Sequence, residues 1–332
     1  MIKSLLVIDG KIKGDWHHWL DAYLDCKLLS DDHIYMTNNQ NSIIGKILNK
    51  LRIPLNLEKN LRLNGLIKKN KYDLILLIKP NSILPFLFSG LKTNIFCIPV
   101  DNMVKKHNSS RLFKSILKYC KIIFINNGYY NTKSFYTNKN NSKVIFWNRS
   151  FSKFHHIPSK KIDYKYEVLF IGSYENIRFE YLNFIAKNNI QVSIFGNGWE
   201  NINAHDDNLI IYNKAVLKSE YVNAIQSAKI NISFLRKIQD DQQTMRTYEI
   251  PACGGFMLTE RTANHKEIFR EGKECEYFES KSELLKKINL YLNNDNDRNI
   301  IINNALNKLD HTDTYSGKIE RIINEYRNLT DY

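Results

Sequence analysis

The strongest constraint on the fold is that short apolar runs alternate with longer amphipathic segments along the whole chain. In the first half, we predict strands at residues 5–8, 73–78, 94–98, 121–125 and 143–147. In the second half, we predict strands at residues 167–172, 191–195, 209–212, 230–234, 256–259 and 276–278, and helices at 176–187, 219–227, 246–252 and 280–293. This alternation is typical of α/β folds with parallel sheets, which bind ligands at the carboxyl ends of their strands.

An irregular segment at residues 148–165 separates the two halves, and its proline, serines and lysine pair favour a linker. A chain of 332 residues also exceeds what one hydrophobic core usually organises. We therefore predict two Rossmann-like domains, at residues 1–155 and 156–332, that face each other across a cleft. Residues 296–327 are predicted to be wholly helical and to brace one lobe against the other.

The composition narrows the environment and the partners. No apolar run reaches the roughly 20 residues that a membrane-spanning helix needs, so we expect a cytosolic protein, soluble or peripheral to a membrane. Five cysteines without paired spacing indicate reduced thiols and no zinc site. The net charge of +14 attracts phosphorylated metabolites, nucleic acid or an anionic leaflet, although a merely solvated basic surface explains it equally well. No nucleic-acid-binding module is recognisable.

The densest group of candidate functional residues lies at residues 240–260. Arg246 can hold a phosphate through its planar guanidinium, and an acidic residue near a helix start can accept ribose hydroxyls. A glycine pair before a strand lets backbone approach a ligand closely. Each feature also has a structural explanation, because a Gly-Gly pair often ends a helix, and an arginine and a glutamate three residues apart often pair with each other.

Residues 246–255 read Arg-Thr-Tyr-Glu-Ile-Pro-Ala-Cys-Gly-Gly. This run resembles the Arg-x-x-Glu-Ile-Pro-Ala-x-Gly-Gly pattern of the CgeB-like (spore-maturation-protein-like) branch of group-one glycosyltransferases, which have the GT-B fold. Residues 170–174 with Arg178 resemble the family's opening strand and glycine turn, and residues 195–199 resemble its second strand end.

The resemblance implies a binding site for a nucleotide-sugar donor in the second half of the chain. Related enzymes carry two acids separated by seven residues, and the second contacts the donor ribose. Glu249 matches that second acid, whereas Asp241 stands where the first is usually glutamate. We expect Arg246 and Glu249 to face the ligand and not the core. The predicted donor-binding residues are Gly172, Ser173, Arg178, Gly196, Asp241, Thr244, Arg246, Glu249, Gly254 and Gly255.

The first half of the chain offers weaker candidates. Asp101 follows a predicted strand where the family often shows an acidic pair, and Asp9 ends the first strand, so both are candidate catalytic residues. Either could equally cap a helix or shape a turn. His17 and His18 on an apolar helix face are more often structural. The sequence Asp-Asn-Asp at residues 295–297 spells a metal-binding triplet of the other large glycosyltransferase fold, which we attribute to chance.

The sequence therefore predicts a glycosyltransferase that moves a sugar from a nucleotide-activated donor to a hydroxyl of a cell-surface glycan. We expect a lipid-linked acceptor, such as lipopolysaccharide or capsule, at the inner face of the cytoplasmic membrane. We expect no metal, no cofactor beyond the nucleotide-sugar co-substrate, and no nucleic-acid partner. The alternatives are an inactive nucleotide-binding protein of the same fold and a nucleic-acid-binding protein. The sugar, the base and the stereochemical outcome stay open.

Overall fold

The computed structural model describes residues 1–10, 17–36, 57–137, 142–158, 163–202 and 206–330. The chain divides into two compact units that each contain one parallel six-stranded sheet. Unit 1 comprises Met1–Asn148, Ile238–Asp241 and Tyr315–Tyr332, and unit 2 comprises Arg149–Lys237 and Gln242–Thr314. The first boundary thus falls within the predicted linker, seven residues before the division that we drew at residue 155.

Unit 1 begins with alternating strands and helices, as predicted for an α/β fold. Its elements are β1 (Ser4–Ile8), α1 (His17–Asp25), β2 (His33–Tyr35), α2 (Leu57–Lys69), β3 (Leu74–Ile78), β4 (Asn94–Ile98), α3 (Arg111–Ile116), β5 (Ile122–Asn126), α4 (Lys133–Thr137) and β6 (Lys143–Trp147). The sheet order is β2-β1-β3-β4-β5-β6. Strands β1, β3 and β5 are buried along their whole length, which explains their continuous apolar sequences.

Unit 2 repeats the alternation. Its elements are β7 (Tyr166–Ile171), α5 (Asn176–Ala186), β8 (Val192–Phe195), β9 (Leu209–Ile211), α6 (Lys218–Gln226), β10 (Ala228–Ser233), α7 (Arg246–Ala252), β11 (Met257–Glu260), α8 (Ala263–Ile268), β12 (Glu276–Phe278), α9 (Lys281–Leu292) and α10 (Asp295–Lys308). The sheet order is β12-β11-β10-β7-β8-β9.

Each sheet has one position where the direction of strand addition reverses. In unit 1 this switch point lies between β1 and β3, and in unit 2 it lies between β7 and β10. Loops leaving the two strands at a switch point run apart, and the crevice that they leave at the carboxyl ends is where open α/β sheets bind ligands. The two switch points therefore show where to look for a site in each unit.

The predicted continuous helix at residues 296–327 is wrong, because two helices occupy this stretch. Helix α10 ends at Lys308, and α11 (Tyr315–Thr330) begins after a capped turn. In that turn the Asp310 side chain accepts from the Thr312 amide at 2.6 Å, while the Asp313 side chain accepts from the Asp310 amide at 3.2 Å. These reciprocal bonds satisfy amides that would otherwise continue the helix.

Helix α11 belongs to unit 1, although the sequence division assigned it to the second domain. Its buried face carries three isoleucines that join the core cluster of Trp19 and Trp147, namely Ile319, Ile322 and Ile323. None of the helices in the described ranges is both long and apolar enough to cross a membrane.

Two further details refine the sequence interpretation. Strand β2 was not predicted, because it spans only three residues and only Ile34 within it is buried. The Asp-Asn-Asp triplet begins α10, where the Asn294 side chain caps the Asp297 amide at 3.1 Å and Asp295 pairs with Arg298. The helix start accounts for these acidic residues without a metal.

A neutral histidine lies in the core of unit 2. His265 is 1% exposed, with Nδ1 2.7 Å from the carbonyl oxygen of Glu260 and Nε2 3.0 Å from the hydroxyl of Thr247. Because a carbonyl can only accept, Nδ1 carries the proton and Nε2 accepts from Thr247. Burial lowers the pKa of His265 from 6.5 to about 4, although its bond to the Glu260 carbonyl opposes that shift.

We expect this histidine to make stability depend on pH. The unfolded chain takes up the proton first, so the stability due to neutral His265 is fully present above pH 6.5 and lost as the pH falls to about 4. The free energy of unfolding should drop by roughly 3 kcal/mol from this group across that window. Urea unfolding between pH 7.5 and 4 measures it, and His265→Gln should show a shallower slope. Equal slopes in the two proteins would contradict this assignment.

Candidate functional site

The glycine turn after β7 closes against the end of β8. The Gly172 amide donates to the Phe195 carbonyl at 2.8 Å, and the Trp199 indole nitrogen donates to the Gly172 carbonyl at 2.9 Å. Gly196 has a φ of +149°, and a Cβ there would lie 2.0 Å from the Gly172 oxygen. A side chain at Gly196 would therefore overlap backbone, so the structure brings together Gly172 and Gly196 from the two predicted motifs.

The turn leads into the start of α5, where the residue before the helix provides no side-chain cap. The Glu175 side chain makes no capping bond to the first amides of this helix, and Ser173 is exposed. The first amides of any helix lack intrahelical acceptors and carry partial positive charge. A glycine turn followed by an uncapped helix start is an arrangement that binds phosphate in many proteins.

Arg178 reaches back from α5 to this turn, as expected from the tilt of helical side chains. Its Nη1 donates to the Ser173 carbonyl at 2.8 Å, and its Nη2 lies 2.8 Å from Glu175 Oε1. The guanidinium also lies over the Phe170 ring, 5.8 Å from its centroid. Arg178 is 5% exposed, so these contacts give it a role in holding the turn, and its contact with a donor stays a prediction.

Arg246 comes to the same place from the start of α7. Its Nε lies 3.5 Å from the carbonyl oxygen of Ile171, the last residue of β7, and its guanidinium lies 4.7 Å from the centroid of the Tyr221 ring. The side chain is 30% exposed. Arg246 and Gly172 therefore meet at the carboxyl end of β7, beside the switch point of unit 2, although they lie far apart in sequence.

Glu249 departs from the expectation that it faces a ligand, because it is only 1% exposed. Its carboxylate pairs with Arg246 and accepts the Tyr221 hydroxyl at 3.0 Å. His156 Nε2 lies 3.9 Å from the other carboxylate oxygen, and His156 Nδ1 accepts the Ser152 amide at 3.0 Å. A buried carboxylate is stable only when such donors and charges compensate it.

Sequence reasoning missed the contributions of Tyr221 and His156 to this group. Burial raises the pKa of the Tyr221 hydroxyl well above its usual value, and the neighbouring Glu249 adds to that shift while Arg246 opposes it. Tyr221 therefore stays protonated and donates to the carboxylate. Neither residue belongs to the sequence motifs described above, and their roles arise from contacts with Glu249.

The glycine pair at the other end of α7 is explained by the end of the helix. The Gly255 amide donates to the Ile250 carbonyl at 3.0 Å and the Gly254 amide donates to the Pro251 carbonyl at 2.9 Å, which is a Schellman motif. Gly254 has the left-handed φ of +77° that this motif needs. A Cβ on Gly255 would lie 2.4 Å from Ile225 Cγ2. The pair leads into β11, away from the carboxyl end where Arg246 lies.

The remaining two predicted donor residues precede α7. Thr244 lies just before α7, and its amide donates to the hydroxyl of Thr247 in the first turn of that helix at 3.1 Å. Asp241 belongs to unit 1, where it is 7% exposed and accepts the hydroxyl of Tyr129. The two acids of the family pattern, Asp241 and Glu249, thus fall in different units.

Asp9, Lys79 and Asp101 form a polar group at the carboxyl edge of unit 1. Asp9 follows β1, Lys79 follows β3, and Asp101 follows β4 with two residues between, so the three strands are neighbours. Lys79 pairs with Asp101, and Asp9 accepts the Ser82 amide at 2.5 Å. The structure therefore gathers both predicted catalytic carboxylates at the switch point of unit 1 and adds a lysine that the sequence analysis missed.

The backbone at this edge is strained and one carboxylate has an unusual pKa. Lys79 has a φ of +50° and Val100 a φ of +68°, and the left-handed region is especially unfavourable for a β-branched residue. Such strain is concentrated at functional sites. Burial raises the pKa of Asp9 from 3.8 to about 6, against the opposing effects of bonds from Ser82 and of the Lys79 charge.

His18 packs in the core of unit 1. It is 6% exposed, and its ring lies 5.5 Å from that of Tyr315. The adjacent ring of His17 lies 4.7 Å from it. Both contacts favour the structural interpretation of the pair.

The close approach of Gly196 to the Gly172 carbonyl oxygen can be tested by substitution. We expect Gly196→Ala to destabilise unit 2 by at least about 2 kcal/mol, because the new Cβ meets backbone at an unfavourable φ. Gly65→Ala inside α2 is the control, since among the described residues no side chain or other element lies within 4 Å of its new Cβ, and alanine there should be neutral or stabilising by up to about 1 kcal/mol. Denaturant unfolding compares them, and similar midpoints would refute the close approach.

Comparison by sequence finds a family match for the second half of the chain. Residues 179–324 match the sequence model of a family described as Glycosyl transferase-like. The matched segment includes Gly196, Arg246 and Glu249, and it begins just after Arg178. No curated protein sequence matches the chain. The narrower resemblance to the CgeB-like branch stays a prediction.

Comparison by structure finds a similar fold over almost the whole chain. A glycosyltransferase from Rickettsia africae has a TM-score of 0.67 at 13% identity, covering 99% of this chain and 98% of that one. HepE from Anabaena, in complex with UDP-glucose, has a TM-score of 0.66 at 10% identity, covering 98% and 100%. A proposed UDP-N-acetylglucosamine 2-epimerase from Listeria monocytogenes has a TM-score of 0.59 at 9% identity, covering 100% and 97%.

The two kinds of comparison agree. The predicted fold is confirmed: the chain consists of two Rossmann-like domains, as in GT-B glycosyltransferases, and its residues 179–324 are similar in sequence to a glycosyl transferase family.

Proposed function

We propose that the protein is a glycosyltransferase that moves a sugar from a nucleotide-activated donor to an acceptor hydroxyl. The observation that carries the proposal is the meeting of Arg246 with the Gly172 turn at the carboxyl end of β7. A guanidinium and uncapped helix amides at one strand end suit a diphosphate. The family match over residues 179–324 supports transfer as the reaction class.

The donor half of the reaction is assigned to unit 2. When the bond from the anomeric carbon to the diphosphate breaks, the leaving group gains negative charge, which Arg246 and the first amides of α5 stabilise. These hydrogen-bond donors support a metal-independent reaction with no cofactor besides the donor. HepE, which shares the fold, was crystallised with UDP-glucose, so uridine nucleotides are the first donors to test.

The acceptor half of the reaction is assigned to unit 1. The acceptor oxygen forms the new bond to the anomeric carbon, and its proton passes to Asp9. A carboxylate whose pKa is raised to about 6 is ionised at neutral pH, yet it is more basic than an ordinary aspartate. Asp101 is already paired with Lys79, so its role is to balance that charge beside Asp9.

The proposed class of acceptor is based on the net charge of the protein. A net charge of +14 favours an anionic acceptor surface, and we propose a lipid-linked glycan such as lipopolysaccharide or capsule at the cytoplasmic face of the cell membrane. A protein peripheral to that membrane would meet both its donor and its acceptor there.

The overall proposal is tested by supplying a panel of nucleotide sugars in the presence of EDTA. Release of nucleoside diphosphate with transfer to a glycan acceptor supports metal-independent transfer. Epimerisation of the donor sugar without transfer would favour an epimerase, in line with the similar fold of the Listeria protein. Binding without turnover would indicate an inactive nucleotide-binding protein.

We expect Arg246→Ala to weaken the binding of UDP at least tenfold, because it removes the guanidinium at the end of β7. At a UDP concentration 100 times the wild-type dissociation constant, the wild type should be stabilised by roughly 2.7 kcal/mol, and a variant that binds tenfold more weakly should be stabilised by only about 1.4 kcal/mol. Thermal shift measures both. Lys286→Ala, at an exposed position of α9, removes the same charge elsewhere in unit 2 and should leave binding unchanged. If both substitutions weakened UDP binding equally, Arg246 would contribute only to the general positive charge of unit 2 and would not contact the nucleotide.

We expect Asp9 to control the pH profile of transfer. Because the carboxylate must be ionised, kcat/KM should be constant at neutral pH and fall about tenfold for each pH unit below about 6. Asp9→Asn should lower kcat at least 100-fold while the affinity for UDP is unchanged. Asp31→Asn, at an exposed position of unit 1, is the control and should behave as wild type. A wild-type profile that is flat down to pH 4.5 would exclude Asp9 as the base.

A further inference from the structure

Within the proposed donor site, we propose that Tyr221 is a positioning residue that holds the Arg246 guanidinium in place for the donor diphosphate. Tyr221 lies on α6 and is 5% exposed, so it does not itself present a group to a ligand. It contacts Arg246 in two ways, directly through its ring and indirectly through Glu249. The inference rests on the proposed function and adds to it a residue outside the sequence motif.

The direct contact is between the ring and the guanidinium. The Arg246 Cζ lies 4.7 Å from the centroid of the Tyr221 ring, well within the range of a cation–π interaction. Such a contact is stronger when the pair is partly shielded from water, and Arg246 is only 30% exposed. The aromatic face therefore restricts a long side chain that would otherwise sample many rotamers.

The indirect contact runs through the buried carboxylate. The Tyr221 hydroxyl donates to Glu249 Oε2 at 3.0 Å, and the same oxygen pairs with Arg246 Nη1. One tyrosine thus supports the guanidinium from its face and orients the carboxylate that fixes its edge. Arg246 Nε lies near the Ile171 carbonyl, so the tyrosine ring, the Glu249 carboxylate and this carbonyl are among the neighbours that hold the guanidinium at the end of β7.

This arrangement matters for binding because a pre-positioned cation loses less conformational entropy when the diphosphate arrives. A tyrosine that served only to fill the core would affect stability, but its effect on nucleotide affinity would not depend on Arg246. A positioning residue acts through Arg246, so its effect on affinity must vanish when Arg246 is replaced. A double-mutant cycle separates these two roles.

The experiment is titration calorimetry with UDP on the full chain. Tyr221→Phe keeps the ring and should weaken UDP binding about threefold, whereas Tyr221→Leu removes ring and hydroxyl and should weaken it about tenfold. In an Arg246→Gln background, Tyr221→Phe should change the affinity by less than about twofold. Tyr181→Phe, a hydroxyl deletion on α5, is the matched control and should bind as wild type.

Two results would overturn the proposal. One is an equal loss of affinity on Tyr221→Phe with and without Arg246, and the other is wild-type affinity in Tyr221→Leu. A parallel cycle on the free energy of unfolding, without nucleotide, keeps the test separate from the proposed function. If the wild type bound no nucleotide, the proposed function would fail, and additive effects of Tyr221→Leu and Arg246→Gln on unfolding would refute the positioning contact itself.

Discussion

A buried negative charge organises the carboxyl edge of unit 2. Glu249 is almost fully inaccessible, and a carboxylate in such surroundings is costly unless donors and an opposite charge surround it. Arg246 and Tyr221 supply that compensation from two separate helices, and His156 Nε2 lies 3.9 Å from the other carboxylate oxygen. The ion pair with Glu249 thereby helps to hold Arg246 at the end of β7.

Unit 1 also holds a buried carboxylate at the carboxyl edge of its sheet, but there the carboxylate has a raised pKa. Its edge holds two carboxylates and a lysine, and burial of Asp9 raises the pKa of its carboxyl group to about 6. Because the unfolded chain releases this proton first, stability is lost as the pH rises from 3.8, and the loss is complete above about pH 6. The strained backbone at Lys79 and Val100 adds a further cost at the same edge. Stability given up at one place is what a functional site commonly requires.

Much of the fold followed from the sequence because fully buried parallel strands read as continuous apolar runs. Strand β2 escaped prediction since it is short and only one of its residues is buried. The break between α10 and α11 depends on reciprocal capping bonds around Asp310. The sequence has a helical pattern on both sides of this turn, so the break was not predicted. At the candidate site, the string at residues 246–255 pointed to Arg246. Tyr221 and Lys79 were missed because their roles arise from contacts with distant segments.

Neither unit is a continuous stretch of chain. Unit 1 draws on three separate segments, and the last of them supplies Ile319, Ile322 and Ile323 to the core that holds Trp19 and Trp147. A fragment ending at residue 148 would leave these tryptophans without that cover. A variant whose second half came from another protein of this fold would therefore have to keep helix α11 together with the first half, because α11 completes the core of unit 1.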